Sequence, residues 1–240
     1  MDNNNFNYSK NENISLKEKA YKTIKNLILS AKLKPGDPLS TSRLCELLSM
    51  SRTPIRDAIK KLESEGLVSD VAGRGHFVKK LTSKDIKEIY YLRKTLEVAA
   101  LKLSINNIRD EQIMKLERRF DEAEKNLDEY IKNNKLYLFN LDKDLHKLIT
   151  HESMNNKLIK FLDIINSQVE LIRSISAVMP GRLEKSYNEH RKLLSAIKKR
   201  DLEEAKKCLE LHLDNIEENS IHINENFKKF VREVELNERY

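Results

Sequence analysis

The chain has 240 residues, 35% of them charged and 39% hydrophobic, with only 5 glycines. That length allows one large or two modest domains, and the composition suits a helix-rich soluble protein. It excludes three classes: no run approaches the ~18 apolar residues of a membrane span, the Asn-rich start lacks the apolar core of a signal peptide, and Cys45 and Cys208 have neither metal nor redox spacing. A reducing cytoplasm is the expected compartment. The net charge of +7 is uneven, since residues 16–81 carry 14 Lys and Arg against 7 Asp and Glu, while residues 82–240 carry 30 against 29. A polyanion is therefore expected to bind the first part, because neutralising phosphates releases counterions. A merely solvated basic surface would show the same bias, so charge alone does not decide.

In chain order, residues 1–15 read as a disordered tail, followed by a domain over 16–80. A first helix carries Leu16, Ala20, Ile24, Leu27, Ile28 and Ala31, and Lys34-Pro35-Gly36-Asp37 ends it as a turn. Ser40 or Thr41 starts a second helix with Leu44, Leu47 and Leu48, and Ser49-Met50 leads into a third. Ser51 or Thr53 can cap that third helix, and Pro54 fits its first turn. Ile55, Ala58, Ile59 and Leu62 form one apolar stripe, and Gly66 stands where a left-handed C-terminal residue is wanted. Arg52, Thr53 and Arg56 stay on the outer face near the N-terminus, the end of a recognition helix that meets base edges. Leu67-Val68 and His76-Phe77-Val78, separated by Gly73-Arg74-Gly75, predict a small hairpin with a basic tip.

Pro35-Gly36-Asp37, Arg43-Leu44-Cys45-Glu46-Leu47-Leu48, Ser51-Arg52-Thr53-Pro54-Ile55-Arg56-Asp57-Ala58, Glu65-Gly66-Leu67-Val68 and Gly73-Arg74-Gly75-His76-Phe77-Val78 together resemble the winged helix-turn-helix of GntR-family bacterial transcription regulators. The resemblance covers about residues 16–80. Ser49 stands where that family commonly has Gly, and Cys45 where a small Ala is usual. The resemblance assigns DNA contacts to Arg43, Ser51, Arg52, Thr53 and Arg56, with Gly73 and Arg74 of the wing reaching the minor groove or backbone. Arg52 or Arg56 can pair bidentately with guanine, and Arg43 is better placed for phosphate.

Residues 81–84 form a linker, and Thr82 with Asp85 offers a capping pair for the next helix. From 85 to 224 the pattern predicts an all-α bundle of about six helices, with 225–240 a tail or short helix. Breaks are expected near Asn106-Asn107, Asn133-Asn134, Asn155-Asn156, Pro180-Gly181 and Arg200-Asp201. Apolar stripes run through Ile89, Leu92, Leu96, Ala99 and Leu103, then Ile113, Leu116, Phe120, Ala123 and Leu127. A later one holds Leu158, Phe161, Leu162, Ile165, Val169 and Ile172.

The remaining helices carry chemistry on their buried faces. Asp142 and His146 lie one turn apart beside Leu138, Phe139, Leu145 and Ile149. His190 lies among Leu183, Tyr187, Leu194 and Ile197, and His212 among Ala205, Cys208, Leu209 and Ile216. Unpaired burial of such groups is costly, and a divalent metal satisfies all four, Zn²⁺ or Ni²⁺ suiting imidazoles with one carboxylate. Taken singly, an Asp-x-x-x-His pair or an inward histidine is more often structural. Arg93 in Tyr91-Leu92-Arg93-Lys94-Thr95-Leu96-Glu97, Asp142, His146, His190 in Glu189-His190-Arg191-Lys192, and His212 resemble the effector domain of the FadR C-terminal-domain (FCD) subfamily, of the shorter VanR-like type. Many members of that subfamily bind a metal through one Asp and three His at these places.

Arg93 shares a helix face with Ile86, Tyr90, Glu97 and Ala100 and is a candidate grip for a carboxylate, the alternative being a structural ion pair with Glu97. What the resemblance implies is a homodimeric repressor of a near-palindromic operator, controlled by a small organic acid at a metal site. The sequence leaves two rivals: a metal-dependent enzyme using the Asp/His set, and an architectural DNA protein without a ligand.

Overall fold

The computed structural model describes residues 15–176 and 181–237. Residues 1–14 of the expected tail, and Pro180 of one expected break, lie outside the described residues. The chain divides into two compact units between Lys79 and Lys80.

The first unit comprises α1 (Leu16–Leu29), α2 (Thr41–Leu48), α3 (Arg52–Ser64), β1 (Val68–Val71) and β2 (Gly75–Val78). Ser15 caps α1 by accepting from the Glu18 N–H, and Ser40 caps α2 by accepting from Arg43. The predicted α3 stripe of Ile55, Ala58, Ile59 and Leu62 is buried, and packs with Ala20, Ile24 and Ile28 of α1. Each such Leu or Ile side chain contributes roughly 1.5–3 kcal/mol on burial. The strands pair antiparallel with Val68 opposite Val78 and Val71 opposite Gly75. Beside β2, the Gly36 N–H donates to the Val78 carbonyl and Val78 donates back to Asp37, which ties the expected turn to the wing.

Two helix ends in this unit share one design. After α3, Gly66 (φ +73) lets the Leu67 N–H reach the Leu62 carbonyl at 3.0 Å and its own N–H reach Glu63 at 2.9 Å, a Schellman closure. After α2, Ser49 takes the same left-handed step (φ 51, ψ 45), with Met50 donating to Cys45 and Ser49 to Glu46. The expected capping of α3 is met in part: Ser51 holds the N-cap position, but its side chain makes no capping hydrogen bond. Leu16 and Leu47 are exposed, and Ala31 lies beyond the end of α1 with φ 55. The reason is length: α2 is 8 residues and buries Leu44 alone, while the α1 core begins only at Ala20.

Among the described residues the second unit holds seven helices: α4 (Ser83–Ser104), α5 (Asp110–Lys125), α6 (Leu127–Asn133), α7 (Lys135–His151), α8 (Asn156–Ser176), α9 (Arg182–Lys198) and α10 (Leu202–Asn237). The expected number was six. The extra element arises because Asn126 (φ −126, ψ 23) breaks the second helix, so Leu127 starts α6 instead of ending α5. The last helix does not stop at 224: among the described residues α10 continues unbroken to Asn237. Thr82 and Asp85 form the expected reciprocal cap of α4.

The core of this unit draws Leu101, Ile113, Leu116, Phe120, Leu141, Leu145, Leu162, Leu194 and Leu209 from six helices. Three stripe residues are exceptions: Leu92, Leu103 and Phe161 are about half exposed. For α4 the buried face keeps Ile89 of the expected stripe and otherwise runs through Ile86, Tyr90, Arg93, Glu97, Ala100 and Leu101. A buried arginine and glutamate on one face are tolerated because they neutralise each other, which displaces Leu92 and Leu103 outward.

Candidate metal centre and nucleic-acid interface

In the helical unit, α7 carries Asp142 and His146 one turn apart, α9 carries His190 and α10 carries His212, and all four are buried. The four donors converge. His190 Nε2 lies 3.0 Å from His212 Nε2 and 3.3 Å from His146 Nε2, and His146 Nε2 is 3.3 Å from His212 Nε2. Asp142 Oδ1 completes the group at 3.1 Å from His190, 3.6 Å from His146 and 3.8 Å from His212. An ion with ligand bonds of about 2.1 Å holds neighbouring donors roughly 3.0–3.4 Å apart, so the set has the dimensions of one metal site.

The hydrogen bonds behind the rings make the same case. His146 Nδ1 lies 2.5 Å from Glu97 Oε2, and His212 Nδ1 lies 2.8 Å from Glu189 Oε2. A carboxylate only accepts, so both Nδ1 atoms carry protons and the neutral rings turn bare Nε2 lone pairs toward each other. Lone pairs that close repel unless a cation lies between them. This carboxylate–histidine arrangement is what orients metal-bound imidazoles.

Electrostatics favour the metal-ready protonation state at His190, His212 and Asp142, and oppose it at His146. Burial, with His190 and His146 nearby, holds His212 well below the ordinary histidine range. Burial also pushes His190 down, outweighing Asp142. For His146 burial is the largest influence and acts downward, with Arg93, but Glu97 and Asp142 together outweigh them and the net direction is up. Burial opposes the charge on Asp142, yet Arg173, 2.5 Å from its Oδ2, and the histidines keep its carboxyl well below the usual range. Glu97 is likewise held at about 2, because Arg93 and His146 overcome its burial.

Arg93 is buried, donates from Nε to Glu97 Oε1 at 2.6 Å and has an unpartnered Nη1 among the described residues. It therefore forms the ion pair with Glu97 that the sequence offered as the alternative. Beside the cluster lies a cavity of about 80 Å³, against 10–15 Å³ for a single water. Asp142 and His190 form part of its wall, with Arg173, Arg182, Asn219 and Ser220 as further polar groups and Phe120, Leu138, Tyr187 and Ile223 as apolar ones. Arg93 is not among the lining residues. Sequence reasoning missed Arg173, Arg182 and Glu189. The available signals were weak: Arg182 and Glu189 stand two helical turns apart, and Arg173 follows the buried Val169 by one turn.

In the first unit, the structure brings the expected nucleic-acid residues to the surface. Arg43, Ser51, Arg52, Thr53 and Arg56 are all exposed, the last four within the first turns of α3 or at its cap. Arg74 is exposed at the hairpin tip, its guanidinium 5.6 Å from the Phe77 ring centre. Gly73 sits there with φ +71 and open space around it, so glycine is required by backbone conformation and not by crowding. Helix α3 presents this basic edge with no acidic residue in its first turn.

A basic winged helix-turn-helix followed by a helical domain with a buried Asp/His₃ cluster defines a DNA-binding transcription regulator. Residues 16–78 match the family described as bacterial regulatory proteins, gntR family, and residues 88–215 match the FCD domain. The chain belongs to the GntR family, in the group whose second domain is an FCD domain. It is 29% identical over 209 residues to the Bacillus subtilis HTH-type regulator YdhC, covering 87% of this chain and 92% of that protein. It is 24% identical over 206 residues to the Escherichia coli transcriptional repressor RspR, covering 84% and 87%. Among solved structures, Escherichia coli McbR/YncC superposes with a TM-score of 0.69 at 23% identity, over 90% of this chain and 99% of that one. The metal-free FCD domain of TM0439 superposes at 0.52 and 26% identity, over 60% and 96%. These families and relatives are transcription regulators, not enzymes.

Proposed function

We propose that the protein is a homodimeric repressor whose operator affinity is set by a small organic acid bound in the cavity beside a divalent metal. The observation that carries this reading is the convergence of three histidine Nε2 atoms and one Asp142 oxygen next to a cavity with two arginines. Asp142, His146, His190 and His212 are the ligands in this reading, and the imidazole-rich set favours Zn²⁺ or Ni²⁺. A bound cation supplies open positions for a carboxylate oxygen. Arg173, paired with Asp142, offers a guanidinium in the cavity wall, while Arg93 acts from behind through Glu97 and His146. Arg52, Thr53 and Arg56 meet base edges, Arg43, Ser51, Gly73 and Arg74 meet the backbone or minor groove, and two copies read a near-palindromic site. The repressor sense is supported by RspR, which is named a repressor, and the compartment is the cytoplasm.

The test begins with an operator selected from random duplexes. Its affinity is measured by fluorescence anisotropy on metal-loaded protein, with and without a panel of hydroxy acids, sugar acids and dicarboxylates. At least one acid should weaken binding, and Asp142→Ala should abolish that response. An operator affinity indifferent to every acid and to metal removal would overturn the proposal in favour of an architectural DNA protein.

A further inference from the structure

The two carboxylates behind the metal cluster are built differently. Glu97 and its partner Arg93 are each 1% exposed, so that pair is closed to solvent and to the cavity. Glu189 is shared. Its Oε2 accepts from His212 Nδ1 at 2.8 Å and from Arg182 Nη2 at 2.9 Å. Its Oε1 accepts from Arg182 Nη1 at 3.1 Å and from Asn215 Nδ2 at 2.9 Å. Arg182 in turn lines the cavity that Asp142 and His190 also border. One carboxylate thus holds a ligand histidine on one side and a cavity arginine, bidentately, on the other.

We propose that Arg182, Glu189 and His212 form a relay through which a carboxylate in the cavity tightens the metal site, with Glu189 as its positioning residue. The inference rests on the metal reading above. Glu189 fixes the His212 tautomer that turns Nε2 to the cluster, and such partners strengthen a ligand's hold on metal. Arg182 draws on the same Oε2 that His212 uses. A carboxylate entering the cavity offers Arg182 an equivalent bidentate partner, which leaves the charge of Glu189 to His212. Linkage makes the effect mutual, so metal favours the anion as much as the anion favours metal.

The experiment measures zinc affinity of the full chain by competition with a chromophoric chelator, with circular dichroism to check folding. Glu189→Gln should lower affinity by about 10–100-fold. Arg182→Met should raise it severalfold in the wild-type background and leave it unchanged within about twofold in the Glu189→Gln background. Acetate, the simplest carboxylate probe, should raise the affinity of the wild type and have no such effect on Arg182→Met. The Arg182→Met arm stands alone if Glu189→Gln fails to fold. Effects of the two substitutions that combine independently, or an equal acetate response in both chains, overturn the relay alone. A wild-type chain that takes up no zinc overturns the metal reading together with it.

Discussion

Ser49 holds a conformation that an L-residue with a side chain adopts at a cost. Its φ of 51 and the paired closing bonds from Met50 and Ser49 are those of a glycine helix stop, as Gly66 shows one helix later. The left-handed region costs a non-glycine residue roughly 1–2 kcal/mol, part of which is offset because glycine is freer in the unfolded chain. Ser49→Gly should therefore stabilise the first unit by up to about 1 kcal/mol, read as a higher urea midpoint with an unchanged slope. A loss of stability would mean that the Ser49 side chain makes a compensating bond. At the proposed metal ligands the expected change is larger. Asp142→Ala removes the one anionic donor and leaves Arg173 without its partner at 2.5 Å. Metal content by mass spectrometry should drop to background, and the stabilisation that added zinc gives the wild type, about 2.7 kcal/mol at a hundredfold excess over Kd, should vanish.

Between elements, α4 and α7 are joined by buried charge. Arg93 and Glu97 are one turn apart on α4, and Glu97 reaches His146 on α7. Because Glu97 titrates at about 2 when folded against 4.5 as an ordinary carboxyl, its contribution is fully present above pH 4.5 and is lost as pH falls toward 2. His190 and His212 are depressed as well, so the unfolded chain takes up their protons first and stability already declines below about pH 6.5. Urea unfolding of metal-free protein from pH 7 to pH 3 should show this decline, and Glu97→Gln should flatten its lower part. That variant should also lose about 3–5 kcal/mol at pH 7, since Arg93 stays buried without its charge partner. A pH profile identical to the wild type would show that Glu97 is not held down. Legibility in the sequence divides along the same lines. The α3, α7, α9 and α10 stripes were readable because apolar residues recur at 3.6-residue spacing around the polar ones, and that put Asp142, His146, His190 and His212 on buried faces. The α4 stripe misled, since Leu92 and Leu103 fit a period equally well and only the mutual neutralisation of Arg93 and Glu97 decides which face is buried. Glu189 was invisible for a related reason: what defines it is a bond to His212 across helices, which no periodicity reports, and Arg182 matters only through its pairing with Glu189.

At the scale of the whole molecule, the two units divide the physics between them. Residues 16–81 hold a net charge of +7, while residues 82–240 hold +1, so affinity for a polyanion belongs to the first unit and small-molecule chemistry to the second. DNA binding should therefore weaken steeply with salt, whereas metal binding at a site walled from solvent should not. Arg56 tests the division because it is exposed on α3, makes no ion pair among the described residues that helps the fold, and belongs to a unit separate from the Asp/His cluster. If Arg56 pairs with a base edge, Arg56→Ala costs about 1–3 kcal/mol of specific binding per half-site and relaxes the preference at one base position. If it only meets phosphate, affinity falls uniformly across sequences and the salt slope drops by about one per lost contact. Binding measured against the operator and single-base variants at several salt concentrations separates the two. Metal content should equal that of the wild type in either case. A variant that binds the operator as tightly as the wild type would show that α3 does not enter the groove by this edge.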